Sequence, residues 1–131
     1  MQAVTMGDIS SKFAKSLFDD DKYSEYLFFH GITVQLAEAL AEYNHALIRK
    51  ECGFLSYEPD NLRSILAQKY RGCRYSFGYP ACPNVKDSKL QLDWLRADRI
   101  GLTIDESDQL TPEQSTTAII AMHSKAKYFS A

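Results

Sequence analysis

The segment Tyr70 to Asn84, Tyr-Arg-Gly-Cys-Arg-Tyr-Ser-Phe-Gly-Tyr-Pro-Ala-Cys-Pro-Asn, gathers the residue types with which a protein holds a small polar ligand. Arg71 and Arg74 carry planar forks of N–H donors that match a carboxylate. The tyrosines and Phe77 supply flat faces for rings or cations. Gly72 and Gly78 permit backbone shapes and close approaches that a Cβ forbids, while Pro80 and Pro83 fix φ and remove donors. A rigid, irregular segment of this kind suits recognition of a small zwitterion. An ordinary ordered surface loop can have the same composition, and the residues alone leave both readings open.

Other chemistry has less to stand on. Cys52, Cys73 and Cys82 are odd in number and form no CxxC pair, as expected of reduced thiols. His30, His45 and His123 are isolated, and no His/Cys/carboxylate group has metal-ligand spacing. Asp19-Asp20-Asp21 reads as a solvated acidic cluster at the start of the following helix rather than a cation site. No GxGxxG turn supports a free-standing α/β methyltransferase, and no serine, histidine and aspartate form a hydrolase motif. Fifteen basic and seventeen acidic side chains leave a net charge of -2, which argues against a nucleic-acid partner. Every apolar run is too short for a bilayer, and the N-terminus lacks a signal-peptide pattern, so the expected location is the cytoplasm.

The elements that must position the segment follow from periodicity. Ala3–Met6 reads as a strand, and a helix capped by Ser10 or Ser11 carries Phe13, Leu17 and Phe18. Tyr23 to Cys52 reads as a long helix, with a bend possible near Gly31 and Gly53 as its stop. Along it Leu36, Leu40, Tyr43 and Leu47 form an apolar stripe expected in the core, flanked by Gln35, Glu38, Glu42, His45 and Arg49. Asp60 or Asn61 caps a short helix from Leu62, and Asp87 or Ser88 opens another bearing Leu90, Leu92, Trp94 and Leu95. The period then changes to two: Leu102–Leu110 and the β-branched Thr116–His123 are expected to join as a β-hairpin. The expected fold is one α+β domain over residues 1–131, with helices packed on an antiparallel β-sheet and a C-terminal β-hairpin.

Arg74 to Pro83 resembles the RxxxGYPACP signature of the reactivation domain of cobalamin-dependent methionine synthases, with seven of ten positions defined. Leu36–Tyr43 resembles that family's LAEAxAEY helix, Ile100-Gly101 with Glu106-Ser107 its IG…TES segment, and Lys127-Tyr128 its closing KY pair. The likeness covers nearly the whole chain and starts past the middle of the family's domain, so it implies an incomplete activation-domain-like fold. It implies a module that binds S-adenosylmethionine and presents the methyl group for reductive remethylation of cobalamin held by another domain. Such a module is part of a methyltransferase without a complete active site of its own. Arg74 is expected to hold the ligand carboxylate, and Tyr75, Gly78 and Tyr79 to line the groove, with Tyr128 closing on the ligand. Glu38 matches a helix glutamate near the site, although it also fits a solvated place in the polar stripe. The implied partners are the cobalamin-binding domain and a flavodoxin-like reductant, and a homodimer is a further expectation.

There are departures from the pattern. Asp105 stands before Glu106-Ser107 where the family has threonine, and Phe129 stands where a second tyrosine often follows. The family's upstream aspartate, which helps hold the ligand's ammonium, has no equivalent here. The alternative function is therefore a remnant or interaction protein that keeps the fold without ligand binding.

Overall fold

The computed structural model describes residues 1–54, 56 and 58–127. Strand β1 (Gln2–Thr5) leads into helices α1 (Asp8–Asp19) and α2 (Tyr23–Glu51). Helix α3 (Leu62–Leu66), strand β2 (Cys73–Tyr75) and helix α4 (Asp87–Leu95) follow, then a 3-10 turn at Ala97–Ile100. Strands β3 (Thr103–Ile104), β4 (Leu110–Thr111) and β5 (Ser115–Ala121) complete the order.

Strand β5 is the centre of a three-stranded antiparallel sheet, flanked by β1 and β2. Its register sets Gln2 opposite Ala118 on one side and Arg74 opposite Ile120 on the other. The mixed helix and antiparallel-sheet class is as expected, but the hairpin is differently built. β3 pairs with β4, and the expected second strand is instead the central strand β5, which ends at Ala121 rather than His123. Asp105 explains the difference, because its Oδ1 accepts from the backbone N–H groups of Ser107 and Gln109 and closes the chain early.

Helix α1 starts at Asp8 with Gly7, at φ +80°, in the cap position, three or four residues before the expected serine caps. Ser10 and Ser11 are thus inside the helix, and Ser11 Oγ donates to Gln114 Oε1 at 2.8 Å. Asn61 does cap α3, its Oδ1 accepting from the Ser64 N–H at 2.9 Å.

Helix α2 runs unbroken through Gly31, and its buried side overturns the expected core stripe. Thr33, Ala37, Ala41, His45 and Arg49, every fourth residue, are buried. Leu36, Leu40, Tyr43 and Leu47 are exposed, Tyr43 by 63%. The small side chains of Thr33, Ala37 and Ala41 let the helix approach β1 and β5 closely, which bulkier leucines would not. The buried contact is partly polar: Gln2 Nε2 donates to the Ala41 carbonyl at 3.1 Å, and Asn44 Nδ2 to Gln2 Oε1 at 3.3 Å. On the other side of β1, Gln91 of α4 donates through Nε2 to the carbonyls of Gln2 and Ala118. Leu92, Ala97 and Leu102 pack with Ala3, Ile104 and Leu110 beneath α4. No described helix is long and apolar enough to cross a membrane.

Candidate functional site

Two features draw on helix α2 and the segment around β2. The first is an open cleft of about 930 Å³ between α1, the residues after β2, the β3–β4 turn and the start of β5. Buried Gln114 ties its walls together: Ser11 of α1 donates to its side chain, which also meets His30 Nδ1 of α2 at 3.3 Å. Its backbone carbonyl accepts from Met6 N–H at 2.9 Å. Asp8, Glu38, Asp105, Asp108 and Glu113 bring carboxylates to the cleft, against the single ammonium of Lys15. Ser76, Phe77 and Tyr79 supply the wall that follows β2.

The second feature is a network of charges on the C-terminal half of α2. Glu42 Oε2 accepts from the Tyr70 hydroxyl at 2.8 Å and from Arg74 Nη2 at 3.2 Å. Its other oxygen faces Arg49 Nη1 at 3.4 Å. Arg49 is fully buried and donates through Nε and Nη2 to the two oxygens of Glu58, the fork-on-fork geometry special to arginine. Its guanidinium carbon lies 3.7 Å from the centre of the Tyr70 ring. Burial works against the Arg49 charge, but the hydrogen bond and charge of Glu58, with Glu42 adding, raise its pKa. Burial and the Glu42 hydrogen bond likewise push the Tyr70 phenol well above its ordinary value. This hydroxyl is a fixed donor.

The residues singled out in the sequence divide between these features. Tyr79 and Glu38 line the cleft, and both are exposed. Arg74 lies on β2 outside the lining of the cleft, mostly buried, with its Nη2 turned to Glu42. Tyr75 donates its hydroxyl to the Lys127 carbonyl at 3.0 Å, which ties β2 to the last described residue. Gly78 has φ +88° and donates its N–H to the Cys82 carbonyl, so it makes the turn that presents Tyr79. Tyr128 lies outside the described residues. Arg71, the other arginine of the segment, has its guanidinium over the Phe54 ring at 4.8 Å.

Glu42, Arg49 and Glu58 join the network without having been expected in a site, whereas Tyr70 opens the segment singled out for ligand recognition. Glu42, His45 and Arg49 recur at helical spacing on one flank of α2, and that spacing was the available signal. Glu58 has no comparable signal, since it lies outside α2 and meets Arg49 only in the folded chain.

The family model for the vitamin B12-dependent methionine synthase activation domain matches residues 1–131. The chain belongs to this family. Activation-domain sequence is shared with methionine synthase of Mycobacterium tuberculosis, 45% identical over 98% of this chain. Methionine synthase of Mycobacterium leprae is 45% identical over the same share. The chain spans 11% of the length of each of these relatives. A crystal structure of the MetH reactivation domain bound to AdoHcy superimposes on the activation-domain fold with a TM-score of 0.90. It is 27% identical in sequence, and the match covers 98% of this chain and 40% of that one.

Proposed function

We propose that this chain is the S-adenosylmethionine-binding part of a methionine synthase activation domain and holds the ligand for remethylation of cobalamin. The observation that carries the reading is the shared fold with a solved reactivation domain that binds AdoHcy, the demethylated form of that ligand. The cleft adds a chemical reason. Its carboxylates suit the sulfonium and ammonium charges of S-adenosylmethionine, and Tyr79 and Phe77 offer aromatic faces. Arg74 is the cation for the ligand carboxylate, with Tyr75, Gly78, Tyr79, Glu38 and Tyr128 completing the assigned set.

Cobalamin, bound by another domain, supplies the nucleophilic cobalt that accepts the methyl group. This chain contributes proximity and orientation: it anchors the amino-acid end and leaves the methyl group facing outward. The remaining implied partner is a flavodoxin-like electron donor, and the setting is the cytoplasm. Isothermal titration of the chain with S-adenosylmethionine tests the reading. Saturable binding is expected, and no heat or protection up to about 1 mM ligand would remove it. That second result would favour a fold retained without binding, a reading to which the Arg74–Glu42 contact lends weight.

The exposed leucines of α2 support self-association as well. Light scattering is expected to show the apparent mass rising with concentration, and Leu36→Lys with Leu40→Lys to abolish the rise. A constant monomer mass for the unmodified chain excludes the dimer.

A further inference from the structure

We propose that Glu42 is a positioning residue for the ligand carboxylate, acting through Arg74. This rests on the reading of Arg74 given above. The Glu42 carboxylate receives donors from three sides: the Tyr70 hydroxyl, Arg74 Nη2 and Arg49 Nη1. A carboxylate accepts all three because it has only acceptor sites. An amide in its place turns one end into a donor, which then faces a donor.

The network also fixes Glu42 itself. Arg49 is immobilised by two hydrogen bonds to Glu58 and by the Tyr70 ring on which it stacks. Glu42 therefore has a rigid back wall and transmits its position to Arg74, thirty-two residues away in sequence. Only Nη2 of Arg74 is used in this contact, so the other N–H groups of its fork keep the capacity to bind a carboxylate. Without the Glu42 charge, Arg49 keeps Glu58 as its anion, whereas Arg74 loses the carboxylate that holds it. Arg74 then turns away and the fork is lost to the ligand.

The test compares two ligands in the 131-residue chain: S-adenosylmethionine and its decarboxylated analogue, which keeps the sulfonium and amine but has no carboxylate. Glu42→Gln is expected to weaken S-adenosylmethionine about tenfold or more, the range for hydrogen bonds to charged groups. The decarboxylated analogue is expected to change less than about twofold. In the Arg74→Ala background, Glu42→Gln should add no further loss. Glu42→Asp, which keeps the charge on a shorter arm, is expected to recover part of the affinity.

Tyr70→Phe provides a second route if Glu42→Gln does not fold. It removes one donor to Glu42 but keeps the ring under Arg49, and it should cost a few-fold for S-adenosylmethionine alone. Equal losses for both ligands, unchanged S-adenosylmethionine affinity, or losses additive with Arg74→Ala would each overturn the role of Glu42 while leaving the site intact. An unmodified chain that binds neither ligand, or full affinity in Arg74→Ala, would instead overturn the site assignment and this proposal with it.

Discussion

The His45 ring stands edge-on to Tyr70, with the centroids 5.4 Å apart and the planes at 86°. The phenol beneath Arg49 is thereby packed between a cation and a neutral imidazole. His45 is fully buried, and neither ring nitrogen has a hydrogen-bond partner among the described residues. Burial, reinforced by the charges of Arg49 and Arg74, lowers its pKa to about 3.

Stability should therefore fall in acid. The unfolded chain takes up the His45 proton near its ordinary value of 6.5, while the folded chain resists it down to about 3. The contribution is fully present above the unfolded value and is lost as pH falls through this window, at up to about 1.4 kcal/mol per pH unit. Urea unfolding at stepped pH is expected to show this slope, and His45→Leu to flatten it. An unchanged slope in the variant would assign the acid sensitivity to the carboxylates.

Arg49→Ala should be among the most destabilising single changes. It leaves Glu42 and Glu58 without their shared cation, and both are mostly shielded from solvent. The expected cost is about 3–5 kcal/mol, typical of breaking a buried pair from one side. Denaturant midpoints provide the measurement. A loss below about 1 kcal/mol would mean that the pair behaves as a surface one.

Two glycine substitutions should have opposite signs. Gly72 has φ +98°, and a Cβ there would lie 2.9 Å from the Ala121 carbonyl oxygen, at the β2–β5 pairing. Gly72→Ala is expected to cost on the order of 1–3 kcal/mol from backbone strain, before the contact is counted. Gly31 lies within α2 with open space around it, so Gly31→Ala should stabilise by about 0.5–1 kcal/mol. Melting temperatures that move in the same direction for both would contradict the assignment.

If Arg74 holds the ligand carboxylate as proposed, Arg74→Ala should weaken S-adenosylmethionine by about 2–5 kcal/mol, the cost of truncating one partner of a buried charge pair. Lysine should restore little, since it lacks the planar fork. Calorimetric titration with circular dichroism as a check on folding measures both. Unchanged affinity in a folded variant would make Arg74 a structural arginine held by Glu42.

Much of the chain was legible locally. The helix from Tyr23 to the Gly53 stop, the Asn61 cap and strand β1 rest on near-neighbour effects, namely helical period, capping hydrogen bonds and turn residues, whereas β2 forms inside the segment read as irregular because it pairs with β5. The RxxxGYPACP pattern located the segment that forms one wall of the cleft, since Gly78 and Tyr79 carry out their turn and presentation locally. The tertiary structure alone decided which face of α2 is buried. Leu36, Leu40, Tyr43 and Leu47 carry the apolar signal, yet the close approach of β1 and β5 selects the row of Thr33, Ala37 and Ala41. Hydrophobic period reports what a helix can bury, whereas the spacing of packed layers determines what it does bury. Likewise the sequence named Arg74, but its meeting with Glu42 depends on β2 pairing with β5, and on β5 packing against α2. The hydrogen bond joins groups brought together by long-range strand pairing, and no local pattern encodes that distance.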